Sequence, residues 1–89
     1  MTDATLTDAL KDAGWTLSGD GKAISKDFKF KNFRAALAWM VRAGFEAEAL
    51  DHHPEWSNVY NRVSVTLTTH DTGGLSDKDI RLAERMEAL

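Results

Sequence analysis

The chain has 89 residues, of which 43% are apolar and 28% charged, proportions typical of globular proteins. The absence of cysteine excludes disulfides and thiolate chemistry, and a net charge of −3 argues against binding to a nucleic-acid backbone. No apolar run approaches the roughly 20 residues that span a bilayer, and the start of the chain lacks the basic and apolar segments of a signal peptide. We therefore expect one small cytoplasmic domain, residues 1–89, that contacts neither nucleic acid nor membrane.

The first part of the chain predicts a helix followed by a β-hairpin. Thr5 or Thr7 can cap a helix that Gly14 ends, because threonine favours N-caps and glycine favours helix ends. A turn rich in glycine, residues 18–22, then separates two strands. The apolar face of the second strand carries Ile24, Phe28 and Phe30. Lys26 is an exception, since it is a charged residue on that apolar face.

A long helix is predicted to follow, with Asn32 as its N-cap. Its apolar residues recur at helical spacing up to the paired histidines, which predicts the face that packs on the core. These residues are Phe33, Ala36, Leu37, Met40, Gly44 and Ala47. After Pro54 the pattern predicts two strands, which a turn at Tyr60-Asn61 joins. Ser76 and Asp79 have the spacing of a capping box and begin a last helix.

The element order α-β-β-α-β-β-α predicts an α+β fold, a four-stranded antiparallel sheet with three helices packed on one face. The last strand, residues 63–68, has a Ser- and Thr-rich outer face without the proline or lysine that protects an exposed edge. We therefore expect this strand, or the short strand at 56–59, to lie at an edge of the sheet. Such an edge, or the helical face near Trp39, is expected to form a homodimer contact.

The residues that suggest chemistry are the three histidines, His52, His53 and His70. Histidine both donates and accepts protons near neutral pH. Pro54 disfavours helical backbone at the residue before it, so His52 is expected at the helix end while His53 is extended. Glu48 precedes His52 by one helical turn, so on a continuing helix its carboxylate can reach the imidazole.

Each of these candidates also has a structural interpretation. An adjacent histidine pair before proline is also expected at an exposed helix end, where a cationic side chain favours the helix dipole. Adjacent histidines with an acid can bind zinc, although the helical His-x-x-x-His spacing is absent. Asp79 can be a helix cap or an acid. Trp56 and Tyr60 can line a flat aromatic ligand or belong to the core.

Taken together, the pattern resembles the pterin-4a-carbinolamine dehydratase family. The matching residues are Glu48, His52-His53-Pro54, Trp56, Tyr60-Asn61, Thr69-His70, Gly74-Leu75-Ser76 and Asp79. Gly14-Trp15 and residues 28–33 match as well, so the similarity covers nearly the whole chain. Gly44 and Ser57 depart from the family pattern, and neither belongs to its catalytic residues.

The resemblance implies dehydration of a 4a-hydroxytetrahydropterin to the quinonoid dihydropterin, which recycles the cofactor of aromatic amino acid hydroxylases. It implies that His52 and His70 transfer protons and that His53 mainly holds the pterin. The residues expected to bind or orient the substrate are Glu48, Asp51, Pro54, Trp56 and Asp79. No metal or organic cofactor is expected. The protein is expected to form a homodimer or homotetramer. The alternative is a protein-binding module, since some family members stabilise dimers of a homeodomain transcription factor.

Overall fold

The structure, a computed structural model, describes residues 5–89. Within these residues it contains the helices α1 (Asp8–Asp12), α2 (Phe33–Ala49) and α3 (Asp77–Glu87). The strands are β1 (Thr16–Leu17), β2 (Ala23–Lys29), β3 (Glu55–Val59) and β4 (Arg62–Thr68), and a 3₁₀ turn spans His70–Thr72. The predicted element order and the α+β class are confirmed. None of the described helices is both long and apolar enough to cross a membrane.

The first two helices begin at side chains that accept hydrogen bonds from the free backbone N–H groups of the first turn. Of the two threonines considered for α1, Thr7 is the cap, and its hydroxyl accepts from Leu10 N at 3.2 Å. Asn32 Oδ1 accepts from Ala35 N at 2.9 Å at the start of α2. Such caps stabilise a helix by typically about 1 kcal/mol each, so local sequence fixes where these helices begin.

The sheet has the strand order β1-β2-β4-β3, and all neighbouring strands are antiparallel. β4 therefore lies inside the sheet, with Thr66 opposite Ser25 on one side and Glu55 on the other. The edges are β1 and β3, so of the two strands considered for an edge the short one, β3, lies there and residues 63–68 do not. β4 supplies three fully buried residues to the core whereas Trp56 of β3 is only half-buried, which favours β4 at the centre.

One face of the sheet packs against the helices, and the other carries mainly polar side chains. The alternation of β4 brings its valines and leucine to the inner face while Ser64 and Thr66 face outward. The buried apolar residues include Trp15, Ile24, Phe28, Ala36, Trp39, Ala43, Val63, Val65, Leu67, Leu82, Ala83 and Met86. This core fixes both the end of α2 and the end of β4, the two segments that carry the histidines.

Helix α2 packs with a face that coincides only in part with the predicted one, since Ala36 and Ala47 are buried as predicted. Its buried residues are Ala36, Trp39, Ala43 and Ala47, whereas Phe33 and Leu37 are 44% and 47% exposed. The helix is apolar on more than one side, so the 3.6-residue period alone did not identify the face that packs inward. The small alanine side chains let α2 approach its neighbours closely, and they leave the larger side chains outside.

Lys26, the charged residue on the apolar strand face, pairs with Glu87 at the end of α3. Its Nζ lies 2.6 Å from Glu87 Oε2, the same oxygen that accepts a hydrogen bond from Trp15 Nε1 at 2.9 Å. The Lys26 ammonium also lies 4.5 Å from the centroid of the Phe28 ring, where the ring face attracts a cation. A half-buried amine is stabilised by such partners, so the break in the strand pattern is explained by a contact with a distant helix.

Candidate active site

The end of α2 is a tight left-handed turn that directs the paired histidines out of the helix. Asp51 N donates to Glu48 O at 3.0 Å and His52 N donates to Ala47 O at 3.0 Å, the two bonds of a Schellman motif. Asp51 has a φ of +50°, a conformation in which aspartate is tolerated better than most residues. The helix thus ends before His52 rather than at it, and residues 52–54 form an irregular link to β3.

A pocket of about 260 Å³ lies between this link and the end of β4. It is lined by Asp51, His52, His53, Thr68, Thr69, His70 and Asp71. β3 and β4 are antiparallel, so the start of one strand and the end of the other meet at the same end of the sheet. The structure therefore brings all three histidines to one pocket.

His52 and Asp79 form the buried part of the site. His52 Nε2 is hydrogen-bonded to Asp79 Oδ1, and the two side chains are 10% and 0% exposed. Asp79 Oδ2 accepts two further hydrogen bonds, from the Thr69 hydroxyl at 2.8 Å and from Ser76 N at 2.9 Å. The second of these is half of the predicted capping box, so Asp79 both caps α3 and holds an imidazole. A buried carboxylate is stable only with such partners.

This contact selects the tautomer of His52. A carboxylate oxygen only accepts hydrogen bonds, so Nε2 carries the hydrogen in the neutral ring and Nδ1 carries the lone pair. Nδ1 makes no hydrogen bond to the described residues, and none of their fully buried side-chain nitrogens or oxygens lacks a partner, so Nδ1 is not fully buried. Because His52 lines the pocket, this nitrogen is available to a bound molecule.

The other two histidines are exposed and pair with glutamates. His53 Nε2 lies 2.9 Å from Glu48 Oε1, and His70 Nε2 lies 3.6 Å from Glu55 Oε2. The expected contact between Glu48 and His52 is absent from the described residues, because the left-handed turn directs His52 toward α3 and leaves Glu48 beside His53. With 62% and 87% of their side chains exposed, His53 and His70 can reorient, which His52 cannot.

Three further candidates from the sequence lie outside the pocket lining. Trp56 is on the inner face of β3, where its ring centroid is 6.5 Å from that of Trp39, so it packs on the core. Tyr60 is at the tip of the β3–β4 hairpin, at the opposite end of β4 from His70. Pro54 is half-buried in the link between the histidines and β3, and its peptide bond is trans. Trp56 and Pro54 thus do not line the pocket: Trp56 packs on the core, and Pro54 belongs to the link that carries the histidines.

Thr68, Thr69 and Asp71 line the pocket but were not among the candidates from the sequence. Thr69 belongs to the Thr-His pair of the family pattern, and this pair was the signal that could have identified it.

Thr68 Oγ1 donates to Lys22 O at 2.6 Å, which connects the pocket to the turn after β1. In that turn, hydrogen bonds from the Ser18 hydroxyl and from Lys22 N hold the pKa of Asp20 below its ordinary value. These hydrogen bonds within the turn stabilise its conformation.

Among the described residues, no three His, Asp or Glu side chains converge on a point where they could hold one metal ion. Each histidine instead has its own carboxylate partner, Asp79, Glu48 or Glu55. The arrangement is one of separate imidazole–carboxylate pairs around a shared pocket, which suits proton transfer.

Comparisons with known proteins give one consistent result. Residues 1–89 match the family model of pterin 4 alpha carbinolamine dehydratase. A protein of Rhizorhabdus wittichii is 54% identical over 91 residues, covering 100% of this chain and 93% of that protein. A protein of Rhizobium rhizogenes is 57% identical over 74 residues, covering 83% of this chain and 73% of its own length. Both carry the name "Putative pterin-4-alpha-carbinolamine dehydratase".

A solved structure agrees with these relatives. The crystal structure of a protein from Brucella melitensis, described as a transcriptional coactivator/pterin dehydratase, has a TM-score of 0.83 to this chain. The two sequences are 44% identical, and the match covers 96% of this chain and 97% of the other.

Proposed function

Because this chain belongs to the pterin 4 alpha carbinolamine dehydratase family, we propose that it is a hydro-lyase that removes water from a 4a-hydroxytetrahydropterin. The product is the quinonoid dihydropterin, and the reaction recycles the cofactor of an aromatic amino acid hydroxylase. The observation that carries the proposal is the pocket lined by three histidines, one of which is buried and held by Asp79. A cytoplasmic location remains a prediction from the sequence.

The reaction requires two proton transfers. A proton must reach the C4a hydroxyl so that it leaves as water, and a proton must leave N5 so that the C4a=N5 double bond can form. Two positioned acid–base groups therefore suffice, and such groups typically accelerate a reaction by about 10²–10⁴-fold. The chemistry needs neither a metal nor an organic cofactor.

The surroundings of the histidines support different roles for two of them. His52 is the proposed base at N5, because Asp79 fixes the neutral tautomer whose Nδ1 lone pair is open to the pocket. The buried Asp79 carboxylate then stabilises the imidazolium that forms, as in other His–Asp pairs. His70 is the proposed acid at the hydroxyl, and its exposure lets solvent restore its proton after each turnover.

The remaining residues of the site are proposed to bind the pterin. His53 lines the pocket with its ring held by Glu48, so it can contact the flat face of the substrate. Asp51 also lines the pocket, and its carboxylate is suited to accept hydrogen bonds from N–H groups at the pterin edge. The contact of Trp56 with Trp39 supports a packing role for Trp56 rather than the expected role as a substrate wall.

The proposal is tested by the decay of a pterin-4a-carbinolamine in the presence of the purified protein. We expect the protein to accelerate dehydration over the spontaneous rate, and we expect full activity after exhaustive dialysis against a chelator. Decay at the spontaneous rate would contradict the proposed function. Loss of activity on chelation, with specific recovery on adding zinc, would contradict the metal-free mechanism.

We also propose that the protein forms at least a homodimer. The residues Phe33, Leu37, Val41 and Phe45, here called the α2 stripe, recur every fourth residue and are 44%, 47%, 52% and 72% exposed. Apolar side chains at this spacing form one continuous strip along a helix, and such strips favour association. A two-fold dimer would bring the α2 stripes of two copies together. The free edge of β3 is the alternative contact surface.

A matched pair of variants tests the dimer. Val41→Glu puts a charge in the α2 stripe, and Leu17→Glu puts the same charge on β1, at a residue of similar exposure (52% and 49%). We expect sedimentation at micromolar concentration to show dimers for the wild type and for Leu17→Glu, and monomers for Val41→Glu. Dimers of all three proteins would exclude the α2 stripe and favour the edge of β3. A monomeric wild type would contradict the dimer itself.

A second candidate function is binding to another protein. The description of the Brucella melitensis structure includes a coactivator role, and the α2 stripe is an exposed apolar surface away from the histidine pocket. The two functions are compatible, since they use different parts of the chain, and a partner bound at the α2 stripe would take the place of the second copy. The Val41→Glu variant separates them, because it should remove partner binding while it leaves the histidine pocket intact.

A further inference from the structure

We propose that Thr69 is a positioning residue that links the buried imidazole of His52 to the exposed turn carrying His70. The inference rests on the proposed dehydratase function, because it concerns how the two proton-transfer groups of that function are held. The position of Thr69 suits this role. It directly follows β4 and lines the pocket. Its side chain is hydrogen-bonded to Asp79, which holds His52, and its backbone to Gly74, which follows the turn carrying His70.

The side chain of Thr69 acts on the His52 side. Its hydroxyl donates to Asp79 Oδ2 at 2.8 Å, while Asp79 Oδ1 holds His52 Nε2. The Ser76 hydroxyl lies 2.6 Å from Thr69 Oγ1. Thr69 has only one hydroxyl hydrogen, so Ser76 is the donor in this second contact. The hydrogen bonds from Ser76 to Thr69 and from Thr69 to Asp79 therefore fix the rotation of the carboxylate that orients His52.

The backbone of Thr69 acts on the His70 side. Thr69 N donates to Gly74 O at 3.1 Å and Gly74 N donates to Thr69 O at 3.0 Å, which closes the loop between them. The Thr72 hydroxyl lies 2.9 Å from Gly74 O and 3.2 Å from Thr69 O, the two carbonyls of this pair, and Gly73 closes the turn with a φ of +72°. His70 is 87% exposed and has few contacts of its own, so this closed loop is what keeps its backbone beside the pocket.

Threonine suits this position better than serine for a physical reason. Its β-branched side chain has restricted rotation about χ1, so the hydroxyl direction is set with little cost in entropy. Valine has nearly the same shape without the hydroxyl. The set Thr69→Val, Thr69→Ser and wild type therefore separates the hydroxyl from the volume of the side chain.

The first experiment compares kinetics. We expect Thr69→Val to lower kcat/KM about 10-fold, the usual effect of one lost hydrogen bond, with most of the loss in kcat. Thr69→Ser should recover most of the activity. Thr66→Val is the matched control, since it makes the same change three residues earlier, within β4 and outside the pocket lining, and it should keep wild-type kinetics. Thr69→Ala is a second variant, expected to behave as Thr69→Val, in case the valine variant folds poorly.

The second experiment measures the tautomer of the His52 imidazole directly. Nitrogen-15 NMR of the wild type should show His52 as the tautomer with hydrogen on Nε2, and Thr69→Val should show a mixture of tautomers. A lost activity with unchanged His52 signals would assign Thr69 a structural role only and overturn the proposal, as would wild-type kinetics of Thr69→Val. Because the NMR measurement needs no substrate, it tests Thr69 even if the chain proves not to be a dehydratase.

Discussion

Replacing His52 with alanine is expected to lower kcat/KM by about 10²–10⁴-fold, the range that one positioned acid–base group contributes. The variant removes the one imidazole that a buried carboxylate holds, and the other two histidines are exposed and pair with glutamates, so neither replaces it. The loss should appear mainly in kcat, since the pocket keeps its other lining residues. Initial rates of carbinolamine decay, corrected for the spontaneous reaction, measure it.

The two exposed histidines serve as comparisons for His52. His70→Ala should lose about 10-fold or more in kcat/KM, and added imidazole buffer should restore part of it, because the site is 87% exposed and open to a small acid. His53→Ala should mainly raise KM, since its proposed role is to hold the pterin. Imidazole should not rescue His52→Ala to the same extent. Near-native rates in the His52, His70 double variant would show that neither residue transfers the protons.

Replacing Asp79 with asparagine is expected to reduce both stability and activity. The carboxylate accepts from three donors, namely His52, Thr69 and Ser76, so an amide N–H group must face a donor where the carboxylate offered an acceptor. An unsatisfied buried group of this kind costs about 1–3 kcal/mol in the free energy of unfolding. Activity should fall by about 10²-fold or more, because the carboxylate that selects the His52 tautomer is lost.

Asp77→Asn is the control for Asp79→Asn, since it makes the same change in the first turn of the same helix. Asp77 is exposed and, within residues 5–89, pairs only with Arg81 across 3.4 Å, a surface contact that contributes no more than about 1 kcal/mol. We therefore expect Asp77→Asn to unfold at nearly the wild-type denaturant concentration and to keep its activity. If Asp79→Asn behaves as this control does, the buried contact with His52 is not part of the mechanism.

The sequence alone determined the local structure and the chemical character of the site. Alternation of apolar residues identified β2 and β4, Asn32 identified the start of α2, and the spacing of Ser76 and Asp79 identified the start of α3. These features depend on contacts within a few residues, which a sequence pattern contains. The three histidines, with the residues around them, were sufficient to indicate the family.

Only the tertiary structure decided which residues are partners. Asp79 rather than Glu48 holds His52, because a left-handed turn at Asp51 directs that ring toward a helix far along the chain. Lys26 is accommodated on the apolar face because Glu87 lies within 2.6 Å of it.

The face of α2 and the position of β4 in the sheet were also decided by packing. α2 has apolar residues on several sides, and its alanines were buried because they allow the closest approach to the rest of the core. β4 lies inside the sheet, with β2 paired on one side and β3 on the other. Its own alternating pattern does not distinguish this position from an edge. In each case the deciding contact joins residues far apart in the sequence, and a local sequence pattern does not predict such contacts.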